Sequence, residues 1–531
     1  MQAWLSSSLV RHYPASRAKR RQTLTLHAAR GESLSFQAAF RTEGSPAKVS
    51  ASATCRDGFL LRVRRVGYVP VLHFSTATPA PELEGIGHLP GLAPDPLFPE
   101  AEAHAGSYET NAFWVNVDVP SHAPPGRYPV TVALSPEGGE AVALIAVVVV
   151  HRGTVHPRRD FPVTQWFYAD ALCDWYRTEL WEESFWPILD AYVEDIAAHG
   201  QDTILVPVFT PPTDGVKKPT QLLGVRRDGG RYVFDWTLVE RWVDCAREHG
   251  VSHFEWNHLF TQWGAARAIR IYEGHGEEGA LLWPAETANT SATYREFLSQ
   301  YLPELHRFLA ERDLLDVSFF HVSDEPHGEE ARANYRGCRE MLRELAPWMR
   351  VMDALSEIEF AREKLVDVPI PSISVAPQFA EGGFPAWAYF CCGPRGAYLN
   401  RLLDTPLSKI SMAGWLFYRN RARGFLHWGY NYWYKSQTTE LIDPYRINDA
   451  LNWPGWPPGD PFIVYPGDSG PVDSIRWEVF AESLRDYALL QSAGVEPEDP
   501  MLSEIRDYAD FPKDEPWIRT RRRELLKRLD R

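Results

Sequence analysis

The sequence has no CxxC pair, and its six cysteines (Cys55, Cys173, Cys245, Cys338, Cys391 and Cys392) are scattered over 531 residues. Neither a zinc site nor a disulfide framework is signalled, so buried, reduced thiols are expected. No run approaches the ~18 apolar residues of a membrane span. In the opening MQAWLSSSLVRHYPASRAKRR the basic cluster follows a short, interrupted apolar segment, the reverse of a secretory signal, so a cytoplasmic protein is expected. Positive charge is also short: the formal net charge is −15, which argues against nucleic-acid and anionic-membrane partners. HExxH and GxSxG motifs are absent, and glycine-rich segments such as DGGR and EGGF match neither GxGxxG nor the P-loop. His249 and His253 have i,i+4 spacing, but the chain passes from helix to strand between them. No metal and no cofactor is expected.

What is abundant is aromatic: 20 Trp, 22 Tyr and 26 Phe. Most belong to a core, while some in a cleft would stack on the apolar faces of sugar rings. The length calls for two or three domains, and the 44% hydrophobic, 24% charged composition is that of a globular chain. Residues 1–156 read as a β-sandwich. Phe113 to Val119 alternates as a half-buried strand, APPGRY turns, YPVTVAL alternates again, PEGGE turns, and AVALIAVVVV reads as a fully buried strand. Thr76 to Gly106, rich in proline and without a period, reads as a long surface loop lying against something else.

Residues 157–531 alternate between strand and helix. Strand-like segments at Val163–Tyr168, Thr203–Phe209, Ser252–Leu259, Val317–Val322, Arg350–Ala354, Ile370–Val375, Ala386–Cys391 and Phe425–Trp433 are separated by helical stretches. Eight such alternations predict a (β/α)8 TIM-type barrel, with the last helix starting at Asp473 or Ser474. In that fold the active site gathers at the C-terminal strand ends, where the fourth segment, VSFFHVSDEPHG, stops at Asp324 and Glu325. A chain with 70 acidic residues contains about nine adjacent acid pairs by chance, so only the position makes this pair informative.

Two carboxylates at a barrel mouth suit glycoside hydrolysis, one protonating the leaving oxygen and one acting beside the anomeric carbon. Consecutive acids diverge, which suits a reaction in which the substrate's own 2-acetamido oxygen attacks. A solvated loop pair or a helix-start cap is the plain alternative. Trp428, Tyr430 and Trp433, with Asn431, are candidates for a sugar platform or for barrel packing. Trp166 and Tyr168 at the end of the first strand and His258 at the end of the third are similar candidates. Asp353 closes the fifth strand and could accept from a sugar hydroxyl or cap a turn. Arg476 could bind a polar substituent or form an ion pair.

SDEP after an apolar strand, GFLHWGYNYW, and the closing FIVYPGDSGPVDSIRWEVFAESLRDYALL resemble the glycoside hydrolase family 123 catalytic domain, the β-N-acetylgalactosaminidases, and PGRYPVTVAL resembles that family's N-terminal sandwich. The resemblance covers most of the chain. It implies a retaining, substrate-assisted exo-hydrolase in which Glu325 is the general acid/base and Asp324 stabilises an oxazolinium. The partner is then a carbohydrate substrate, and homo-oligomer formation stays open. Two other readings compete: a glycosidase for a sugar without the acetamido group, pairing the acid with Asp353 or Asp170, and a catalytically silent carbohydrate-binding protein.

Overall fold

The computed structural model describes residues 1–20, 22–56, 58–212, 218–276 and 279–531. Its N-terminal part holds two five-stranded sheets. The first runs, edge to edge, Gln2–Ser7, Ser33–Arg41, Thr110–Asp118, Leu60–Val71 and Gly91–Phe98, with every neighbour antiparallel. The second runs Thr23–Arg30, Val142–Thr154, Gly126–Pro136, Ala47–Thr54 and Glu102–Ala105, its first pair parallel. Phe36, Phe113, Val115 and Val117 of the first sheet share one apolar core with Val130, Val132, Leu144 and Val148 of the second.

Three sequence expectations change here. Thr76 to Gly106 is not a loop throughout, because it contributes one edge strand to each sheet, Gly91–Phe98 and Glu102–Ala105. Pro94 and Pro96 are tolerated on an edge, where a missing N–H leaves no ladder bond unmade. The segment does lie against the rest of the chain, with Leu97 N donating to Asp473 O at 2.8 Å and Glu84 N to Asp404 O at 2.7 Å. Thr110–Asp118 is buried on both faces but for its last residue, because Trp114 and Asn116 point away from the second sheet into the remainder of the molecule. Val142–Thr154 instead alternates, leaving Ile145 exposed, since nothing covers its outer face there.

Eight parallel strands, each two to four residues long, follow: Val163–Gln165, Thr203–Val206, His253–Trp256, Ser318–Phe320, Met352–Ala354, Val368–Ile370, Ala388–Tyr389 and Phe425–His427; seven lie inside the expected segments, while the sixth precedes the expected Ile370–Val375 and shares only Ile370 with it. The second to fourth pair in order, the fifth pairs with the sixth, and the seventh pairs with the eighth, which pairs with the first. Single parallel bridges, Phe320 to Val351 and Ser372 to Tyr389, join these groups. Helices such as Trp186–Ala198, Thr237–Glu248, Ala292–Glu311 and Gly328–Leu345 lie between them. Ser474 caps the helix Ile475–Ser492 by accepting from Trp477 N at 3.0 Å, but that helix is not the last, because Glu515–Leu529 follows.

The apolar core is continuous from the first sheet into the strand–helix part: Trp4, Val66, Trp114 and Leu97 belong with Trp166, Trp415 and Trp477. No helix among the described residues is long and apolar enough to cross a membrane.

Candidate active site

The strand Ser318–Phe320 delivers Asp324 and Glu325 to a sharp reversal. Asp324 is buried, and Glu325 is half-buried with φ +45°. Left-handed backbone at a non-glycine residue costs free energy and persists only where its surroundings fix it. Here Glu325 N donates to Ala354 O at 3.0 Å and Trp263 N donates to Asp324 O at 2.8 Å. The helix Gly328–Leu345 has His327 at its N-cap position without a side-chain cap, and Gly328 N donates to Glu357 Oε1 at 2.9 Å. Neither acid of the pair caps it.

The two carboxylates are held separately. Gln262 Nε2 donates to Asp324 Oδ2 at 2.7 Å, and Tyr389 OH donates to Glu325 Oε1 at 2.8 Å. Burial, then the Glu325 charge, pushes the Tyr389 phenol well above its usual range, so it stays a donor. Sequence reasoning named neither Gln262 nor Tyr389. The seventh strand-like segment contained Tyr389, but nothing local marked it as facing an acid 64 residues earlier.

Below the pair lies a buried polar layer. Asp353 accepts from Val322 N (3.1 Å), Ser323 N (3.4 Å) and Tyr335 OH (2.5 Å) and lies 3.1 Å from His321 Nδ1. It fixes the backbone that leads to Asp324 and has no exposed surface, which corrects its reading as a sugar contact. Burial raises its pKa against the pull of those donors. His258 stacks on His321 with centroids 4.3 Å apart, and Trp166 stands edge-on to both. Neither ring nitrogen of His258 has a hydrogen-bond partner, and burial, then His321, holds it well below the usual histidine range, hence neutral. Trp166 Nε1 and Thr164 Oγ1 both donate to Glu255 Oε2 at 3.2 Å. Glu255, also missed by the sequence reading, is raised by burial. A charged residue inside the apolar HFEW strand was the available signal.

A second cluster holds Tyr168 and Trp428. Tyr168 OH donates to Trp428 O at 2.9 Å. The Trp428 ring tilts against Trp456 and Tyr432, and its Nε1 donates to Asp460 Oδ2 at 3.2 Å. Asn431 brackets the Tyr168 backbone, accepting from its N at 2.8 Å and donating to its O at 3.0 Å. Tyr430 OH donates to Asp195 Oδ2 at 2.6 Å, and Trp433 Nε1 donates to Val464 O at 3.2 Å. Tyr430, Asn431 and Trp433 have no exposed surface and are structural, which corrects their reading as platform residues. The reason is length: the strand ends at His427, so the period-2 rule does not extend to residue 433. Arg476 is also internal, its guanidinium bonded to Asp95 (3.0–3.1 Å) and to three backbone carbonyls.

The Cys392 thiol beside it, burial, and the charges of Asp460 and Glu325 push the Cys391 thiol well up. Among the described residues, two groups bring three possible metal-donor atoms within 4.8 Å of one another: His258 with His321 and Asp353, and Asp195 with His199 and Asp473. In the first the carboxylate is already committed to its hydrogen bonds. In the second, Asp195 lies 2.9 Å from His199 Nδ1 and Asp473 is paired with Arg64.

A family model described as glycoside hydrolase 123, catalytic domain, matches residues 166–493. No curated protein matches the chain. Among solved structures, a family 123 glycoside hydrolase from Clostridium perfringens superimposes with TM-score 0.73 at 15% identity, over 99% of this chain and 97% of that one. A family 5 xyloglucanase from Bacteroides ovatus reaches TM-score 0.28 at 12% identity, over 88% of this chain and 99% of that one. A β-D-glucuronidase from Dictyoglomus thermophilum reaches 0.33 at 9% identity, over 91% of each chain. The first likeness is one of fold; the other two are too distant to carry an argument.

Proposed function

This chain belongs to glycoside hydrolase family 123 and is a glycosidase; on that premise we propose that it removes terminal β-linked N-acetylhexosamine, with N-acetylgalactosamine as the preferred sugar, by a substrate-assisted, retaining mechanism. The observation that carries this reading is the separate holding of two consecutive acids. Asp324, buried and bonded to Gln262, is suited to face the 2-acetamido group, while half-buried Glu325, oriented by Tyr389, is suited to the glycosidic oxygen.

In the first step the acetamido oxygen attacks C1, the glycosidic bond breaks, and Glu325 gives its proton to the departing oxygen. Asp324 stabilises the positive charge that develops on the amide, an interaction stronger in the transition state than in the ground state. In the second step Glu325 takes a proton from water, which attacks C1 and reopens the oxazolinium with net retention. No cofactor takes part. Trp166 and His258 suit the floor of the sugar pocket, with Glu255 beneath them accepting from the Trp166 indole, and Trp428 and Tyr168 suit its wall.

We also propose that the eight parallel strands close into a barrel, since their pairing follows chain order and Asp202 N donates to Val163 O between the first and second (3.3 Å). The division between the two parts falls at residues 156/157. The Clostridium perfringens protein is described in terms of glycolipid glycan hydrolysis, and a glycan with an accessible non-reducing end fits the exo reading here.

A panel of chromogenic β-glycosides with and without the 2-acetamido group tests the proposal. Turnover is expected only with that group. Glu325→Gln should lower kcat by roughly 10²–10⁴-fold, least for good leaving groups. Asp324→Asn should lower kcat by about 10²-fold or more with little change in KM. Comparable rates on a plain β-galactoside, or a covalent adduct trapped by a 2-fluoro sugar, would overturn the substrate-assisted step.

A further inference from the structure

Only two tryptophans among the described residues are exposed, Trp263 at 58% and Trp453 at 40%. Trp453 already lies stacked on His73 with centroids 4.2 Å apart. Trp263 stands next to the acid pair, its N–H donating to Asp324 O at 2.8 Å, and its neighbour Gln262 holds the Asp324 carboxylate. A single exposed apolar side chain needs no explanation by itself. The backbone that presents this one does.

Trp263, Gly264 and Ala265 are three consecutive residues with positive φ, at +59°, +138° and +51°. Two of them are not glycine, so the loop stores strain, and such strain concentrates where a side chain must be held in one place. The loop is clamped on each side. Thr261 O accepts from Ser323 Oγ at 2.8 Å and from Ala265 N at 3.1 Å, and Ala265 O accepts from Asn289 Nδ2 at 2.6 Å. Gly264 packs so closely that a Cβ there would lie 3.1 Å from Ala331 Cβ, at the start of the helix that follows the acids. Gly264 and Ala265 are buried while the indole between them and Gln262 is left in solvent. The fold spends strain to hold a flat apolar surface still beside the acid pair.

We propose that Trp263 is the platform of the leaving-group subsite, stacking on the apolar face of the sugar that carries the scissile oxygen. The inference rests on the reading of Asp324 and Glu325 as the catalytic pair. An exo-acting enzyme encloses the terminal sugar, here against the buried layer of Trp166 and His258, and the leaving sugar lies on the solvent side of the acid. Trp263 is at that edge. Flat aromatic faces suit the axial C–H groups of a pyranose, which makes Trp263 a determinant of which aglycone is accepted.

The test compares two substrates with the same terminal 2-acetamido sugar: a glycosyl fluoride, which has no leaving sugar, and a β-linked disaccharide. Trp263→Ala should lower kcat/KM roughly tenfold on the disaccharide and leave the fluoride within about twofold, and Trp263→Phe should recover most of the loss. Equal losses on both substrates would overturn the proposal, because they would mark Trp263 as a support for the Asp324 loop. No loss on either would overturn it as well. If wild type cleaves neither substrate, the functional reading fails on its own. Calorimetric titration of the disaccharide into Glu325→Gln and into Glu325→Gln with Trp263→Ala then decides the platform independently, with equal affinity counting against it.

Discussion

Asp460 has no exposed surface, yet its two oxygens meet different fates. Oδ2 accepts from Trp428 Nε1, while Oδ1 has no hydrogen-bond partner and lies 3.6 Å from His427 Nε2. Burial pushes its pKa up to about 7 against the opposing charge of Arg401. An unfolded aspartate titrates near ~3.9. Between about pH 4 and pH 7 the folded chain therefore keeps a proton on Asp460 that the unfolded chain has released. The group favours folding most below about pH 4, and that advantage, roughly 4 kcal/mol at most, is lost as pH rises through 7. Asp460→Asn cannot titrate, so its melting temperature relative to wild type should climb from pH 4.5 to pH 7.5. A constant gap would mean that Arg401 keeps Asp460 ionised throughout. At this scale the sequence was partly legible. The place of Asp324 and Glu325 at a strand end was readable because strand and acids are contiguous. Gln262, Tyr389 and Glu255 were not, because each acquires its partner across the fold rather than along the chain.

Among elements, the existence and order of all eight parallel strands were readable from alternating apolar segments, but their ends were not. Seven segments of five to nine residues contain ladders of two to four, the sixth meets its strand only at Ile370, and the C-terminal remainder of several turns out of the strand direction. That is why Tyr430, Asn431 and Trp433 point into packing. Helix crossings were also illegible, since close approach depends on a small residue meeting a backbone from elsewhere. Gly414, in the helix Ala413–Arg419, is such a point: a Cβ there would lie 1.8 Å from Ser483 O and 2.7 Å from Ser483 C, on the helix Ile475–Ser492. A backbone obstacle cannot rotate away. Gly414→Ala should lower stability by about 3 kcal/mol, read as a shift in the urea midpoint, with the helix pair forced apart. An unchanged midpoint would mean that the crossing is looser than this contact implies.

Across the whole molecule, the first sheet and the strand–helix part are joined by charge as well as by apolar surface. Arg64, from strand Leu60–Val71, bonds Asp473 and Glu478, with Asn116 completing the group. Arg476, in the first turn of Ile475–Ser492, takes Asp95 from the edge strand Gly91–Phe98, and Tyr465 OH donates to the same carboxylate at 2.7 Å. Neither Arg476 nor Asp95 has exposed surface. A buried pair offsets its own desolvation only when complete, and removing one partner leaves an uncompensated charge that costs about 3–5 kcal/mol. Arg476→Met should therefore lower the unfolding midpoint by an amount of that order. Since the apolar core is continuous across the same boundary, β-sheet circular dichroism and tryptophan fluorescence should report one transition in wild type and move down together in the variant. Replacing Asp95 with Asn in the same background should recover part of the loss, because the uncompensated charge is gone while Tyr465 keeps an acceptor. Two separate transitions in wild type, or a variant that melts only its N-terminal sheets early, would show that the two parts fold as independent units and that the buried pair merely fastens them.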